Sequence, residues 1–109
     1  MNWITQLRKG LMEFCILLIL KEKESYGYEI VQKLEGVEGF SATESTVYPI
    51  LGRLKEDNCL RVRAVPSPNG PPRRYFHLSD DGEARLREMR AHWASLSKSI
   101  EELERRIER

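Results

Sequence analysis

Apolar side chains recur at helical spacing in the middle of the chain, between residues 43 and 57. Four of them stand at i, i+3, i+4 and i+7 and so share one helix face: Val47, Ile50, Leu51 and Leu54. The pattern predicts a helix that packs this face into a core and turns a face with little bulk outward. Because Pro49 disfavours the helical conformation of the residue before it, the helix is expected either to begin near Ser45 or to bend at the proline.

Two further helices are predicted before this segment. Residues 3–21 carry two apolar stripes, so this helix is expected to pack on its own domain with one and on a second subunit with the other. The stripes are Ile4, Leu7, Leu11, Phe14 and Leu18, and Met12, Cys15, Ile16 and Ile19. Ser25 is the predicted N-cap of a second helix at residues 26–35, which Gly36 ends. A short glycine-containing segment leads to the third helix, which is helix-turn-helix order.

After Asn58, a residue that tolerates the left-handed conformation closing a helix, the apolar period changes to two. Residues 60–64 and 73–78 show this alternation and predict two strands. Asn69-Gly70 is a turn signal, and four prolines around it stiffen the connection. The expected fold class is mainly α with a small β-hairpin (α+β), a winged helix-turn-helix. In such folds the third helix enters the major groove of DNA, and the hairpin, or wing, reaches phosphate or the minor groove.

The C-terminal region follows a different rule. Its apolar residues are spaced alternately three and four apart, a heptad pattern that predicts a seam with another chain. They are Leu86, Met89, Trp93, Leu96, Ile100, Leu103 and Ile107. A helix of about 29 residues extends about 43 Å, which is longer than the rest of so small a protein can cover. We therefore expect a winged helix-turn-helix domain at residues 1–78 and a dimerisation helix at 79–109, with Leu7, Leu11 and Phe14 of the first helix joining the dimer interface.

The net charge of +1 conceals an uneven distribution along the chain. Residues 53–78 carry six basic and two acidic side chains, whereas the segments on either side are slightly acidic. This basic segment spans the end of the third helix and the wing, where a polyanion would bind. The hydrophobic content of 40% and the charged content of 32% are those of an ordinary soluble domain.

Other classes of protein find little support. The longest apolar run, residues 14–20, is too short to span a membrane and no signal peptide is evident, so a cytoplasmic protein without a membrane partner is expected. Cys15 and Cys59 are expected to be buried thiols rather than a redox pair. His77 and His92 lie on different elements without a ligand cluster, which argues against a metal site. No catalytic constellation or phosphate loop is recognisable, so neither an enzyme nor a cofactor is expected.

Three motifs in order resemble the PadR family of bacterial transcriptional regulators. They are Tyr-Gly-Tyr-Glu-Ile at residues 26–30, Thr-Val-Tyr-Pro-Ile-Leu-Gly-Arg-Leu at 46–54 and Pro-Arg-Arg-Tyr-Phe-His-Leu-Ser-Asp-Asp-Gly at 72–82. The resemblance covers nearly the whole chain and is to the short branch, which has a single C-terminal dimerisation helix. Ser45 replaces a common glycine, which bears on base preference, and Asn58-Cys59 replaces the usual Gly-Leu. The resemblance implies a homodimeric repressor, often responding to a small aromatic or hydrophobic effector.

Pattern and resemblance together predict the residues that contact double-stranded DNA at a palindromic operator. Arg73 and Arg74, with help from Tyr28 and Lys55, are expected to bind phosphates and so to supply affinity. Contacts to base edges contribute discrimination between sequences more than affinity. The exposed start of the third helix is expected to read bases. The full set is Tyr26, Tyr28, Ser45, Thr46, Tyr48, Pro49, Arg53, Lys55, Arg73 and Arg74. From the residues alone Tyr48 is equally consistent with an aromatic at the edge of the core.

A competing hypothesis is a winged helix that binds another protein and assembles through its heptad helix, which fold alone does not exclude. An effector site is the last expectation. Trp93 is bulky for a tight two-stranded seam, so the subunits are expected to part there and, with Trp3, to leave an apolar cleft for a flat hydrophobic ligand. A tryptophan packed on the partner's first helix explains the same pattern.

Overall fold

The computed structural model describes residues 3–37, 39–40 and 42–108, so the outermost residues of the expected domains, 1–2 and 109, lie outside the described part. The described residues form four helices and a three-stranded sheet. The order is α1 (Trp3–Glu22), β1 (Ser25–Tyr26), α2 (Gly27–Glu35), α3 (Glu44–Glu56), β2 (Leu60–Ser67), β3 (Gly70–Leu78) and α4 (Asp80–Ile107). The predicted class, mainly helical with a β-hairpin, is confirmed.

The apolar face predicted for α3 forms the centre of the core. Val47, Ile50, Leu51 and Leu54 are all buried, between 0% and 7% exposed. They pack with the buried stripe of α1 and the apolar side of α2, while Phe76 of β3 closes the core from the sheet. The buried residues of the two earlier helices are Met12, Ile16, Leu17, Leu20, Ile30, Val31 and Leu34.

Helix α3 runs through Pro49 without a break and begins one residue before Ser45. Its N-cap is Thr43, whose carbonyl accepts the backbone N–H groups of Thr46 and Val47. Helix α3 ends before Asn58, which has a φ of 61° and so adopts the left-handed conformation that the sequence predicted.

The sheet has the order β1-β3-β2, and both pairings are antiparallel. Ser25, predicted as the cap of α2, lies instead in β1, where it pairs with Phe76 and is fully buried. The N-cap of α2 is Tyr26, whose backbone N–H donates to Glu29 Oε1 at 3.1 Å. A two-residue strand has no period to detect, so the sequence pattern could not reveal β1.

Helix α4 is anchored to the body at its first turn. Ser79 is its N-cap, since its Oγ accepts the backbone N–H of Gly82 at 3.1 Å and donates to the carbonyl of Asn58 at 2.6 Å. Leu86, predicted for the dimer interface, is only 2% exposed because it packs into the core of its own chain. It is therefore unavailable to a second chain.

Beyond Met89, which is half-buried against the core, the larger apolar residues of α4 lie on the surface. Trp93, Leu96, Ile100, Leu103 and Ile107 are between 43% and 84% exposed. The outer stripe of α1 is likewise exposed at Ile4, Leu7 and Leu18.

The two cysteines differ in burial. Cys59 is buried, as predicted, whereas Cys15 is half-buried. Burial raises the pKa of both thiols above its ordinary value, which disfavours the reactive thiolate. None of the helices in the described residues has the length and hydropathy needed to cross a membrane.

Candidate DNA-binding surface

The outward face of α3 has small residues at its centre and larger ones at its two edges. Ser45, Pro49 and Gly52 are exposed along the centre, so this face can approach a surface closely. Tyr48 lies at one edge and Arg53 at the other, as helical spacing predicts. The two edges face different parts of the body, and each borders a groove.

Tyr48 is neither a core residue nor freely solvated. Its side chain is 46% exposed, and its ring end packs on the first residue of α2, Gly27. A Cβ atom at Gly27 would lie 2.5 Å from the Tyr48 hydroxyl, so only glycine accommodates the ring in this position. The motif at residues 26–30 therefore helps to set the position of a phenol on α3.

The wing, defined as strands β2 and β3 with their turn, carries the basic side chains predicted to meet phosphate. The guanidinium of Arg73 lies 4.7 Å from the centre of the Tyr26 ring, a cation–π contact. Tyr26 in turn meets Tyr75 edge to face, with ring centres 5.3 Å apart. Tyr26 thus supports a wing arginine, and it reaches the wing because β1 pairs with β3.

These elements enclose a groove of about 480 Å³ between the wing and the edge of α3 that carries Tyr48. Tyr26, Gly27, Arg73 and Arg74 line it together with Tyr48. A neighbouring groove brings Lys55 beside Tyr48 and Arg74. Five of the predicted DNA-contacting residues therefore share one side of α3: Tyr26, Tyr48, Lys55, Arg73 and Arg74.

The remaining predicted residues lie elsewhere. Ser45, Thr46, Pro49 and Arg53 line a separate groove between α3 and α1. At the start of α3 the Thr43 hydroxyl is 2.8 Å from that of Ser45 and 3.4 Å from that of Thr46. Tyr28 is half-exposed on α2 and lines neither groove.

Sequence reasoning missed two residues of the groove between α1 and α3. Arg8 and Lys9 of α1 line it with Thr5, facing Arg53. Both lie in the half of the chain with a net acidic charge, so the charge distribution gave no reason to single them out. The signal that could have found them is their place outside the two apolar stripes of α1.

At the base of the wing, Glu24 holds Arg63 in place. Arg63 Nε donates to Glu24 Oε2 at 3.3 Å, Arg63 Nη2 donates to Oε1, and the guanidinium lies 5.6 Å from the Tyr75 ring centre. The hydrogen bond from Arg63 lowers the pKa of Glu24 below its ordinary value. His77 Nδ1 is 3.4 Å from Glu24 Oε2, and that buried nitrogen has no hydrogen-bond partner. Arg63 is thus an element of the wing base.

A further groove, of about 380 Å³, separates the middle of α1 from α4. Phe14 and Trp93 form its aromatic wall, with ring centres 6.4 Å apart and planes tilted by 59°. Leu11, Met89 and Leu96 line the same groove. Trp3, predicted to share an effector site with Trp93, is exposed near the start of α1 and is not part of this lining. Across residues 3–37, 39–40 and 42–108, no group of histidine, cysteine, aspartate and glutamate side chains could hold a metal ion.

Comparison with known proteins relates this arrangement to a family. Residues 16–88 match the transcriptional regulator PadR-like family. A PadR-like transcription factor from Bacteroides fragilis is 39% identical and covers 94% of this chain and 99% of its own, with a TM-score of 0.79. A PadR-like transcriptional regulator from Bacillus cereus is 34% identical and covers 90% and 95%, with a TM-score of 0.81.

The PadR protein of Bacillus subtilis, solved in complex with operator DNA, is also similar. It is 25% identical with a TM-score of 0.67, and the match covers 72% of this chain but 45% of that one. The matching family and these solved relatives are named as regulators of transcription. Because the family match extends over more than half of the sequence, and solved relatives align over nearly all of it, this chain belongs to the PadR-like family of transcriptional regulators.

Proposed function

We propose that this protein is a sequence-specific DNA-binding repressor of transcription that acts as a homodimer in the cytoplasm. The observation that carries the proposal is the placement of a half-exposed phenol, Tyr48, beside two wing arginines, one of which rests on Tyr26. A phenol on a helix with small neighbours suits the major groove, and guanidinium groups suit phosphate. The repressor role follows from resemblance to the family.

The contacts divide by chemistry. Arg73, Arg74 and Lys55 are proposed to bind phosphates and supply affinity, and Tyr28 is proposed to add a further phosphate contact. Ser45, Thr46, Tyr48 and Pro49 are proposed to discriminate between sequences by hydrogen bonds and apolar contact in the major groove. The operator complex of the Bacillus subtilis relative supports double-stranded DNA as the partner.

The proposed dimer forms along α4 and the outer stripe of α1. The stripe from Leu96 to Ile107 is more than half exposed, and Trp93 is 43% exposed although it contacts Phe14 of α1. Leu7, Leu11 and Phe14 are proposed to extend this surface. A twofold dimer places two α3 helices on two half-sites, so a palindromic operator with centres about 34 to 36 Å apart, or a multiple of that distance, is expected.

We propose further that a small hydrophobic or aromatic effector releases the protein from DNA. The groove beside Phe14 and Trp93 is open and mostly apolar, which suits a flat ligand. Quenching of tryptophan fluorescence by planar aromatic compounds, absent in Trp93→Ala and retained in Trp3→Phe, would support a site at Trp93. Quenching that survives in Trp93→Ala would remove that site and leave Trp93 as an interface residue.

The test of DNA binding is a footprint on the DNA upstream of the protein's own gene, followed by affinity measured across a salt series. Arg73→Ala with Arg74→Ala should weaken binding to all sequences and reduce the salt slope by about 0.9 for each phosphate that is no longer bound. Thr46→Ala and Tyr48→Phe should instead lower the ratio of operator to random-DNA affinity. Absent or salt-independent binding by the unaltered protein would refute the proposal and favour a protein partner.

A further inference from the structure

The side of α3 that faces away from the wing is also basic, because α1 brings cations to it. Arg8 and Lys9 line a cleft of about 430 Å³ together with Arg53 of α3. Hydroxyl groups of Thr5, Ser45 and Thr46 lie along the same cleft. Met12 and Ile50, both largely buried, form its floor.

The described residues place no paired carboxylate against the positive charges of this cleft. Among the described residues, none of Arg8, Lys9 and Arg53 forms an ion pair, whereas Arg63 at the wing base is paired with Glu24. Three like charges beside one another repel and attract an external anion. Guanidinium and ammonium groups are donors that proteins use to bind backbone phosphates.

The shape of DNA indicates which anion fits. The major groove is about 12 Å wide and is bounded by a sugar–phosphate backbone on each side. A helix inserted into the groove therefore has phosphates along both of its edges. The wing arginines lie beside the edge of α3 that carries Tyr48. The cleft with Arg8 and Lys9 lies along the opposite edge, which carries Arg53.

We infer that Arg8, Lys9 and Arg53 bind phosphates of the DNA strand that the wing does not reach. The inference rests on the proposed function and adds a second phosphate-binding flank. Helix α1 would then bind phosphate with one side and contact the second subunit with another. Thr5 and Lys9 face the cleft, while the stripe of Leu7 and Leu11 lies on a different side of the helix. A change of geometry at the proposed dimer interface would therefore be transmitted directly to a phosphate-binding side chain.

The experiment compares three double variants of the full-length protein. Arg8→Gln with Lys9→Gln removes the α1 cations and keeps good helix formers, and Arg73→Ala with Arg74→Ala removes the wing cations. Arg87→Gln with Lys98→Gln is the control, because it removes the same net charge from exposed positions of α4 outside the heptad seam. Equal melting temperatures establish that all three are folded.

Affinity is measured across a salt series, and interference is measured with uncharged methylphosphonates placed singly along both strands of a half-site. The α1 variant should reduce the salt slope by about 0.9 for each phosphate it releases and abolish interference on one strand only. The wing variant should abolish interference on the other strand, and the control should change neither. An α1 variant that behaves like the control, while the wing variant shows its expected loss of interference, overturns this inference alone. Absence of salt-dependent binding by the unaltered protein overturns the proposed function as well.

Discussion

The apolar residues of α3 and those of the distal half of α4 follow equally regular helical patterns, yet only the first set is buried. Val47, Leu51 and Leu54 are at most 1% exposed, whereas Leu96 and Leu103 are more than half exposed. The molecule measures 61 × 29 × 22 Å, so α4 extends beyond the body that could cover it. Periodicity indicates that a helix has an apolar face, but chain length and position decide whether the same chain covers it.

Shortening a buried side chain of α3 should destabilise the folded core. Leu54→Ala is expected to reduce the free energy of unfolding by about 2 to 5 kcal/mol, because it removes a fully buried side chain and leaves a cavity. Urea denaturation should show this loss at every protein concentration. Leu103→Ala is the matched control, and its effect should depend on protein concentration because it acts on association. Equal, concentration-independent losses in both variants would contradict the distinction.

Charged side chains introduced into the arm, the part of α4 from Trp93 to Ile107, should weaken the proposed dimer. Leu96→Asp with Leu103→Asp places carboxylates in the proposed seam and should weaken dimerisation at least tenfold, or about 1.4 kcal/mol, and with it DNA binding. Sedimentation measures the assembly state. Ser95→Asp, at an exposed position outside the heptad seam, should remain dimeric. An intact dimer in the double variant would place the interface elsewhere.

Gly82, in the first turn of α4, packs this helix closely against the residue that precedes β2. A Cβ atom there would lie 2.1 Å from the backbone oxygen of Cys59, which cannot move aside without shifting β2. Gly82→Ala is therefore expected to cost about 1 to 3 kcal/mol of stability, measured by thermal or urea denaturation. Gly27→Ala is the comparison, since it meets the movable end of the Tyr48 ring. It should leave stability nearly unchanged and alter operator preference, and a large stability loss there would contradict this account.

The smallest effect is expected at the exposed ion pair of the wing base. The pKa of Glu24 is lowered in the folded protein, so its pairing with Arg63 stabilises the fold above the ordinary glutamate value of 4.5. That contribution is lost as the pH falls through the lowered pKa. Glu24→Gln should reduce the melting temperature slightly at pH 7, and the difference from the unaltered protein should shrink in acid. Glu22→Gln should change neither, and a constant difference at all pH values would point to packing rather than charge.

Much of this architecture could be predicted from the sequence because it depends on periodicity. The apolar face of α3, a strand at β2 and the left-handed Asn58 were predicted and are confirmed. The alternation in β2 holds for Leu60 and Val62 but not for Ala64, which is exposed. Features that depend on contacts between distant segments could not be. Ser25 has the chemistry of a helix cap, but pairing with Phe76 places it in a strand. Leu86 fits the heptad, but the body covers it first.

The candidate site shows the same division. Tyr48 and the wing arginines were predicted from motifs that stand far apart in the sequence, and the fold brings them to one groove. Arg8 and Lys9 carry no motif, and only the packing of α1 beside α3 reveals their place. Support of Arg73 by Tyr26 likewise requires the pairing of β1 with β3.

Strand β1 has a mechanical consequence despite its length of two residues. It bonds the start of α2 to the wing at Tyr75, and the next residue, Gly27, is in contact with Tyr48 of α3. The wing and α3 therefore cannot swing independently, and together they are expected to move as one rigid unit. In the proposed dimer, a ligand or mutation that changes DNA affinity from a distance should then alter the separation of two such units along the double helix, while the shape of each unit stays the same.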